Sequence, residues 1–488
     1  MKRIWSLIFM VCLGLSGMLR AQNFEEAFRA FANQSQQRYN EFSDSINRQF
    51  AKAMAANMRA FSGERPKVRD PKPKPDSLPV VKGKETPDRP LPEPLRPSAN
   101  PNPVHPQDNP QPKEPDGKPS ENEPEEPSTE PVPMFELDLF GERFRWEDKP
   151  FPTSLAGVSV RDVSDFWIRL SGCGFDGILN TCRNAIQQKA FNDWAVYQFV
   201  LQYVQKKYDR QYNEQVVAVV FLLNQLGMEA KVGFSESHLF ILLAVEQQLY
   251  AVPFSDINGH RYYIFELDPN HQDKGGEVSF QTYAIPFPGQ THDLDMNVRQ
   301  PLKMAESSEH DVDSICISLC MIELFKTYPQ VDMTVYANAL PSEVFRNSLD
   351  RLLRPYIKNM SAYEAVSFLL YYLQYGFDYA TDNEQFGYEK PFFCEENYYY
   401  PKNDCEDRAV LFSFLVRYLT TLDVVLIEYP GHVAAAVCFP DNVQGKSVFF
   451  NEKKYVICDP TYIGASIGME MPKFKPEDRT VLPLIKWK

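Results

Sequence analysis

Between Pro66 and Pro133 the chain carries more than half of its 39 prolines, interleaved with charge in runs such as KPKPDSLP and PDRPLPEPLRP. Proline fixes φ and offers no N–H, so this stretch cannot build a packed core. At about 3.1 Å per residue, polyproline geometry makes it a semi-rigid spacer of order 200 Å at full stretch. The spacing therefore predicts a disordered linker over 63–133, with a globular body beginning near Met134. It reads either as a tether that holds the body away from the N-terminal segment or as a leader that serves only solubility.

Upstream, Lys2 and Arg3 precede an apolar run from Ile4 to Leu19 and a small residue, Ala21. This predicts a cleaved signal peptide over 1–21 and a secreted or periplasmic protein; the alternative is an inner-membrane anchor through residues 4–19. Residues 22–62 place Phe24, Phe28, Phe31, Phe42, Ile46, Phe50 and Phe61 at helical spacings in a polar background. That is an amphipathic helix whose stripe needs cover, from self-association, from an envelope partner or from the globular body. A net charge of -14 excludes a sequence-independent nucleic-acid binder, which needs clustered cations.

The globular part reads as two copies of one helix-then-sheet unit. Helices are predicted near 174–188, 192–208 and 214–226, then strands at 229–234, 238–245 and 248–254, with Asn258-Gly259 turning into HRYYIFEL. The second half repeats the order: helices over 341–357, 361–375 and 404–420, then strands over 423–429, 432–439 and 453–459. The predicted domains are 134–290, a connecting segment over 291–334, and 335–488.

Eight cysteines remain once Cys12 is set aside. Cys173 and Cys182 form the best local disulfide candidate, whereas Cys316 and Cys320 stand at helical spacing and read as buried thiols. Cys405 follows Asn403 and Asp404, either of which can cap a helix, with Glu406 three residues after Asn403 as in a capping box. The thiol thus falls in the first helical turn, where unpaired N–H groups favour a thiolate. Asp404, Glu406 and Asp407 oppose that effect, so a cationic partner is needed.

His432 opens a strand that sets His432, Ala434 and Ala436 on one face, and these alanines leave room for a helix to approach the histidine. Asp459 ends a neighbouring strand on the same face as Ile457 and Tyr455. Antiparallel pairing would bring it beside His432, completing a thiol, imidazole and carboxylate set suited to acyl transfer.

PKNDCEDRAVLFSFL, YPGHVAAAV and KYVICDPTYIGASIG resemble the Cys, His and Asp motifs of the transglutaminase-like superfamily, whose domains have a papain-like α+β fold. TDNEQFGYEKPFF resembles the stretch before the nucleophile in secreted Bacteroidetes-type proteins of this kind. The resemblance covers the chain from about residue 335. It implies Cys405 as nucleophile, His432 as general base and acid, and Asp459 as the orienting group; by analogy Gln385 supplies an oxyanion donor. In the first copy His238 matches His432, but Tyr212, Asn213 or Gln215 stands opposite Cys405. No acid on QLYAVPF answers Asp459, and Asp256 falls just beyond it, so residues 134–290 read as a degenerate sister domain.

The expected function is thiol-dependent hydrolysis of an amide or peptide bond in a peptide or protein substrate. The alternatives are a non-catalytic binding or envelope assembly protein that retains the fold, and a protein-crosslinking acyltransferase. No metal motif, phosphate loop or dinucleotide fingerprint occurs, so no cofactor is expected.

Overall fold

The computed structural model describes residues 133–235, 238–271, 291–304 and 314–486, with residues 78–82 and the backbone of four short strands at 59–62, 67–68, 102–104 and 281–284. The fold is mixed α+β with antiparallel sheets. Among the described residues no helix is long and apolar enough to cross a membrane. The expected signal segment lies outside them.

In the first half four helices, Val160–Ser171, Asp176–Lys189, Asp193–Tyr208 and Tyr212–Gln225, precede the central strands of the sheet. The first begins at a reciprocal Ser159 and Asp162 capping box, which satisfies N–H groups that the helix itself cannot. The last is buried from Gln215 to Gln225, because VVAVVFLL leaves no polar face. Its sheet has seven strands in the order Arg59–Ser62, Gln281–Ala284, Ala230–Ser235, His238–Leu243, His260–Phe265, Pro253–Ile257 and Lys67–Val68.

The second half has the helices Glu343–Leu352, Arg354–Ile357, Ala362–Gly376 and Cys405–Thr420, with short turns of helix at Asp382–Gln385 and Glu396–Tyr399. Its five-stranded sheet runs Ser447–Phe450, Lys453–Cys458, His432–Val437, Val424–Tyr429 and Thr480–Pro483. Ser361 and Glu364 cap the Ala362 helix reciprocally. The Cys405 helix stops where Thr421 turns left-handed at φ 62°. Of that helix only Tyr418 and Thr420 escape full burial, and each buried Phe or Leu contributes about 1.5–3 kcal/mol. One apolar cluster contains Phe221 and Val232 of the first half, Met296 and Ile317 of the segment between, and Leu411 and Val433 of the second.

Several expectations need correction. The helix over 341–357 breaks at Leu353, because Pro355 lacks an N–H and begins a new turn, Arg354–Ile357. The strand over 248–254 is displaced to Pro253–Ile257. Leu249 instead bridges to Val331 and donates its N–H to the Tyr263 hydroxyl at 3.0 Å, and Ala251 turns left-handed. Strands Ser447–Phe450 and Thr480–Pro483 add two unforeseen sheet edges.

The last four residues of the expected 22–62 helix, Arg59–Ser62, pair instead with Gln281–Ala284, where ladder hydrogen bonds override local periodicity. The rest of that helix lies outside the described residues. Within the proline-rich stretch, Lys67–Val68 pairs with Pro253 and Phe254, Val80 bridges Ile463, and Asn102–Val104 pairs with Cys316–Ser318. A free spacer would make none of these contacts.

Candidate active site

The Cys405–Thr420 helix starts one residue later than the Asn403 capping box would place it. Asp404 is the N-cap, and its N–H donates to Asp407 Oδ2 at 3.0 Å. Cys405 opens the first turn and is 1% exposed. Its thiol donates to Glu406 Oε2 at 2.9 Å, and its sulfur accepts from the backbone N–H of Val433, the residue after His432. Burial first, then the Glu406 and Asp404 carboxylates, pushes the thiol well above its ordinary range, with the Val433 N–H opposing them. The helix N-terminus does not outweigh these effects.

His432 and Asp459 meet as expected. Nε2 lies 2.8 Å from Asp459 Oδ2, and both side chains are almost wholly buried. The ring also stacks on Phe474 at 5.5 Å and Tyr429 at 6.0 Å between centroids. The helix approaches the other face of this strand: Val433, Ala435 and Val437 share the core with Leu411 and Leu415, while Ala434 and Ala436 pack with Tyr455, Ile457 and Phe474. Strict alternation thus gives Ala435 the role expected of Ala434 and Ala436. Among the described residues no hydrogen bond joins the thiol to the imidazole.

Asp459 is held in turn by the loop it starts. Its Oδ1 accepts from the N–H groups of Thr461 and Tyr462 at 3.0 and 3.1 Å. Gln374, on the Ala362–Gly376 helix, donates through Nε2 to the carbonyls of Asp459, Tyr462 and Ala465 and accepts from Gly464 N–H at 3.1 Å. One buried amide thereby fixes the whole turn. Its position inside an apolar helix, SFLLYYLQY, was the available signal, since a buried glutamine needs partners.

A nest of acids surrounds the helix start. Asp404, Cys405 and Glu406 form one group of possible ligands, Asp382, Glu389 and Glu406 a second, and Asp382, Asp404 and Asp407 a third, with ligand atoms within 4.8 Å of one another in each. Oxygen donors of this type suit a hard cation such as calcium. Burial, followed by mutual repulsion, raises Asp404, Glu406 and Asp407 well above the usual carboxylate range. Arg408 lies close by, hydrogen-bonded to Asn403 Oδ1 and Phe377 O at 2.8 Å each, and burial pushes its guanidinium down to about 10.

The first half carries the same frame. His238 opens its strand as His432 does, and its Nε2 lies 3.1 Å from Glu266 Oε2, one residue past the neighbouring strand His260–Phe265. The N–H of Leu239, the residue after His238, donates to Asn213 Oδ1 at 2.7 Å in the first turn of the Tyr212–Gln225 helix. Asn213 thus stands where Cys405 stands. An acid does answer Asp459, contrary to the sequence expectation, because the pairing strand is His260–Phe265 and not QLYAVPF. Asp256 lies within Pro253–Ile257, bound to Arg261.

Gln385 ends the short helix Asp382–Gln385 and donates to Lys402 O at 3.2 Å, which commits its amide to the strand before Cys405. None of the eight described cysteines is joined to another by a disulfide, which removes the expected Cys173–Cys182 bridge. Cys173 donates to Arg169 O at its own helix end, whereas Cys182 is buried within the next helix. Comparison with family models, with curated proteins and with solved structures returns no match.

Proposed function

We propose that the chain is a secreted or envelope thiol acyl-transfer enzyme of the transglutaminase-like type, hydrolysing an amide or peptide bond through a Cys405 thioester. The observation that carries this reading is the buried His432 and Asp459 pair, with the next residue's N–H on the Cys405 sulfur. In this chemistry the thiol turns from Glu406 and gives its proton to the imidazole, whose charge Asp459 stabilises. The sulfur attacks the carbonyl carbon, the C–N bond breaks, and the imidazolium returns the proton to the leaving amine. Water, deprotonated by the imidazole, then attacks the thioester, releasing the carboxylic acid and the thiol. An amine in place of water would give crosslinking.

Long catalytic hydrogen bonds are common in sites without substrate, so the resting contact of the thiol with Glu406 is compatible with this cycle. The high affinity of the thiol for its proton favours a second reading, a binding or envelope assembly protein that keeps the triad residues as scaffold. Alkylation across pH, with mapping of the labelled cysteine, separates the two. Faster labelling of Cys405 than of buried Cys394, lost in His432→Ala, supports the enzyme, and equal labelling removes it.

A further inference from the structure

Residue 463 presents both of its backbone groups to another part of the chain. Ile463 N–H donates to Pro79 O at 2.9 Å, Val81 N–H donates to Ile463 O at 2.8 Å, and Val80 lies beside Ile463 as a parallel bridge. The reason is local. Gln374 takes the carbonyls of Asp459, Tyr462 and Ala465 and the N–H of Gly464, and Asp459 takes the N–H groups of Thr461 and Tyr462. The turn's inward groups are consumed, and the pair on Ile463 is aimed outward at a fixed spacing. A donor and acceptor on one residue is how a main chain captures an extended peptide as an added strand.

We infer that the backbone of Ile463 is a binding strip for extended peptides, and that residues 78–82 of the proline-rich stretch are its exchangeable resident. Val80 is 38% exposed, so the contact rests on main-chain groups and reads little of the side chain. The register sets one rule. The residue in the place of Val81 must supply an N–H, which bars proline there, whereas Pro79 serves as an acceptor and loses nothing by being proline. The strip begins four residues after Asp459, so a peptide held on it lies against the loop that positions the His432 partner. Its use for substrate rests on the acyl-transfer reading, but peptide capture does not. A tethered segment competes at an effective concentration of about millimolar, so residues 78–82 weaken capture of any peptide in trans.

The test uses the full chain carrying Cys405→Ala, which removes turnover, and a fluorescent peptide with the sequence of residues 77–83, read by anisotropy. Val81→Pro in the chain deletes the donor to Ile463 and frees the strip. The expected result is peptide binding at least about tenfold tighter than to the chain with Val81 intact. A chain lacking residues 78–82 should match Val81→Pro, which guards against misfolding of either variant. The peptide that itself carries Val81→Pro should not bind. Equal affinity for the intact and freed chains, no binding to either freed chain, or equal binding of the proline peptide overturns the proposal. An unreactive Cys405 in the alkylation assay would sink the enzyme reading and leave this result standing.

Discussion

Glu266 Oε2 lies 3.1 Å from His238 Nε2, at the same place in its sheet that Asp459 occupies beside His432. The histidine and acid frame therefore exists twice, and the two copies differ in the helix residue bonded to the next N–H: a sulfur at Cys405 and an amide oxygen at Asn213. Histidine pairing to an acid serves the architecture in both halves, and only the second sets a thiol beside it. Asn213→Ala leaves the Leu239 N–H without its acceptor, at a cost of about 1–3 kcal/mol. Chemical denaturation should read that loss, and Cys405 alkylation should stay unchanged.

Glu406→Gln removes the carboxyl that accepts the Cys405 thiol proton and whose ionised form opposes the thiolate. Because Glu406 is the strongest carboxylate influence on Cys405, the thiol should ionise more readily, and each unit of descent multiplies the thiolate fraction tenfold. Alkylation of Cys405 near neutral pH should accelerate by about tenfold or more. An unchanged rate would mean that burial alone holds the proton.

The acid nest sets a pH dependence of stability. Asp404, Glu406 and Asp407 have folded-state affinities for protons raised above those of the unfolded chain. Their favourable contribution is complete below about pH 4, where unfolded carboxyls also hold protons, and is lost as pH rises toward the raised values. Melting temperature should thus fall on that side of about pH 4, and Asp404→Asn should flatten the decline while raising the melting point near neutrality.

Gln374→Ala removes four hydrogen bonds from one buried turn. The expected cost is about 2–4 kcal/mol, with faster amide exchange over residues 459–465. A small stability change with no local exchange would show that the turn holds itself.

Much of the body was legible from periodicity. The helix VVAVVFLL and the Cys405 helix are apolar nearly all round, and the alternation of HVAAAV fixed His432 and Asp459 on one face. Asp459 and His432 could be paired because their strands are neighbours in the sheet, the intervening Ser447–Phe450 lying at its edge. The same logic failed at Glu266, since the strand written as QLYAVPF is pulled away by the segment at Val331 and the ladder shifts by a strand. Gln374 was missed because a lone polar residue in an apolar helix gives no hint of which carbonyls it will meet. The proline-rich contacts were invisible for a different reason: proline removes donors but leaves carbonyls free, and pairing at Pro79 needs only an acceptor.

The apolar cluster that joins both halves has a consequence for how the molecule comes apart. Where duplicated units touch through a thin interface they melt separately, but here Met296 and Ile317 mortar the two into one mass. Heating should give a single calorimetric transition over both sheets, and neither half cut free would keep its shape. The two similar halves share one core, so the half that carries Asn213 in place of Cys405 is part of what keeps the other one folded.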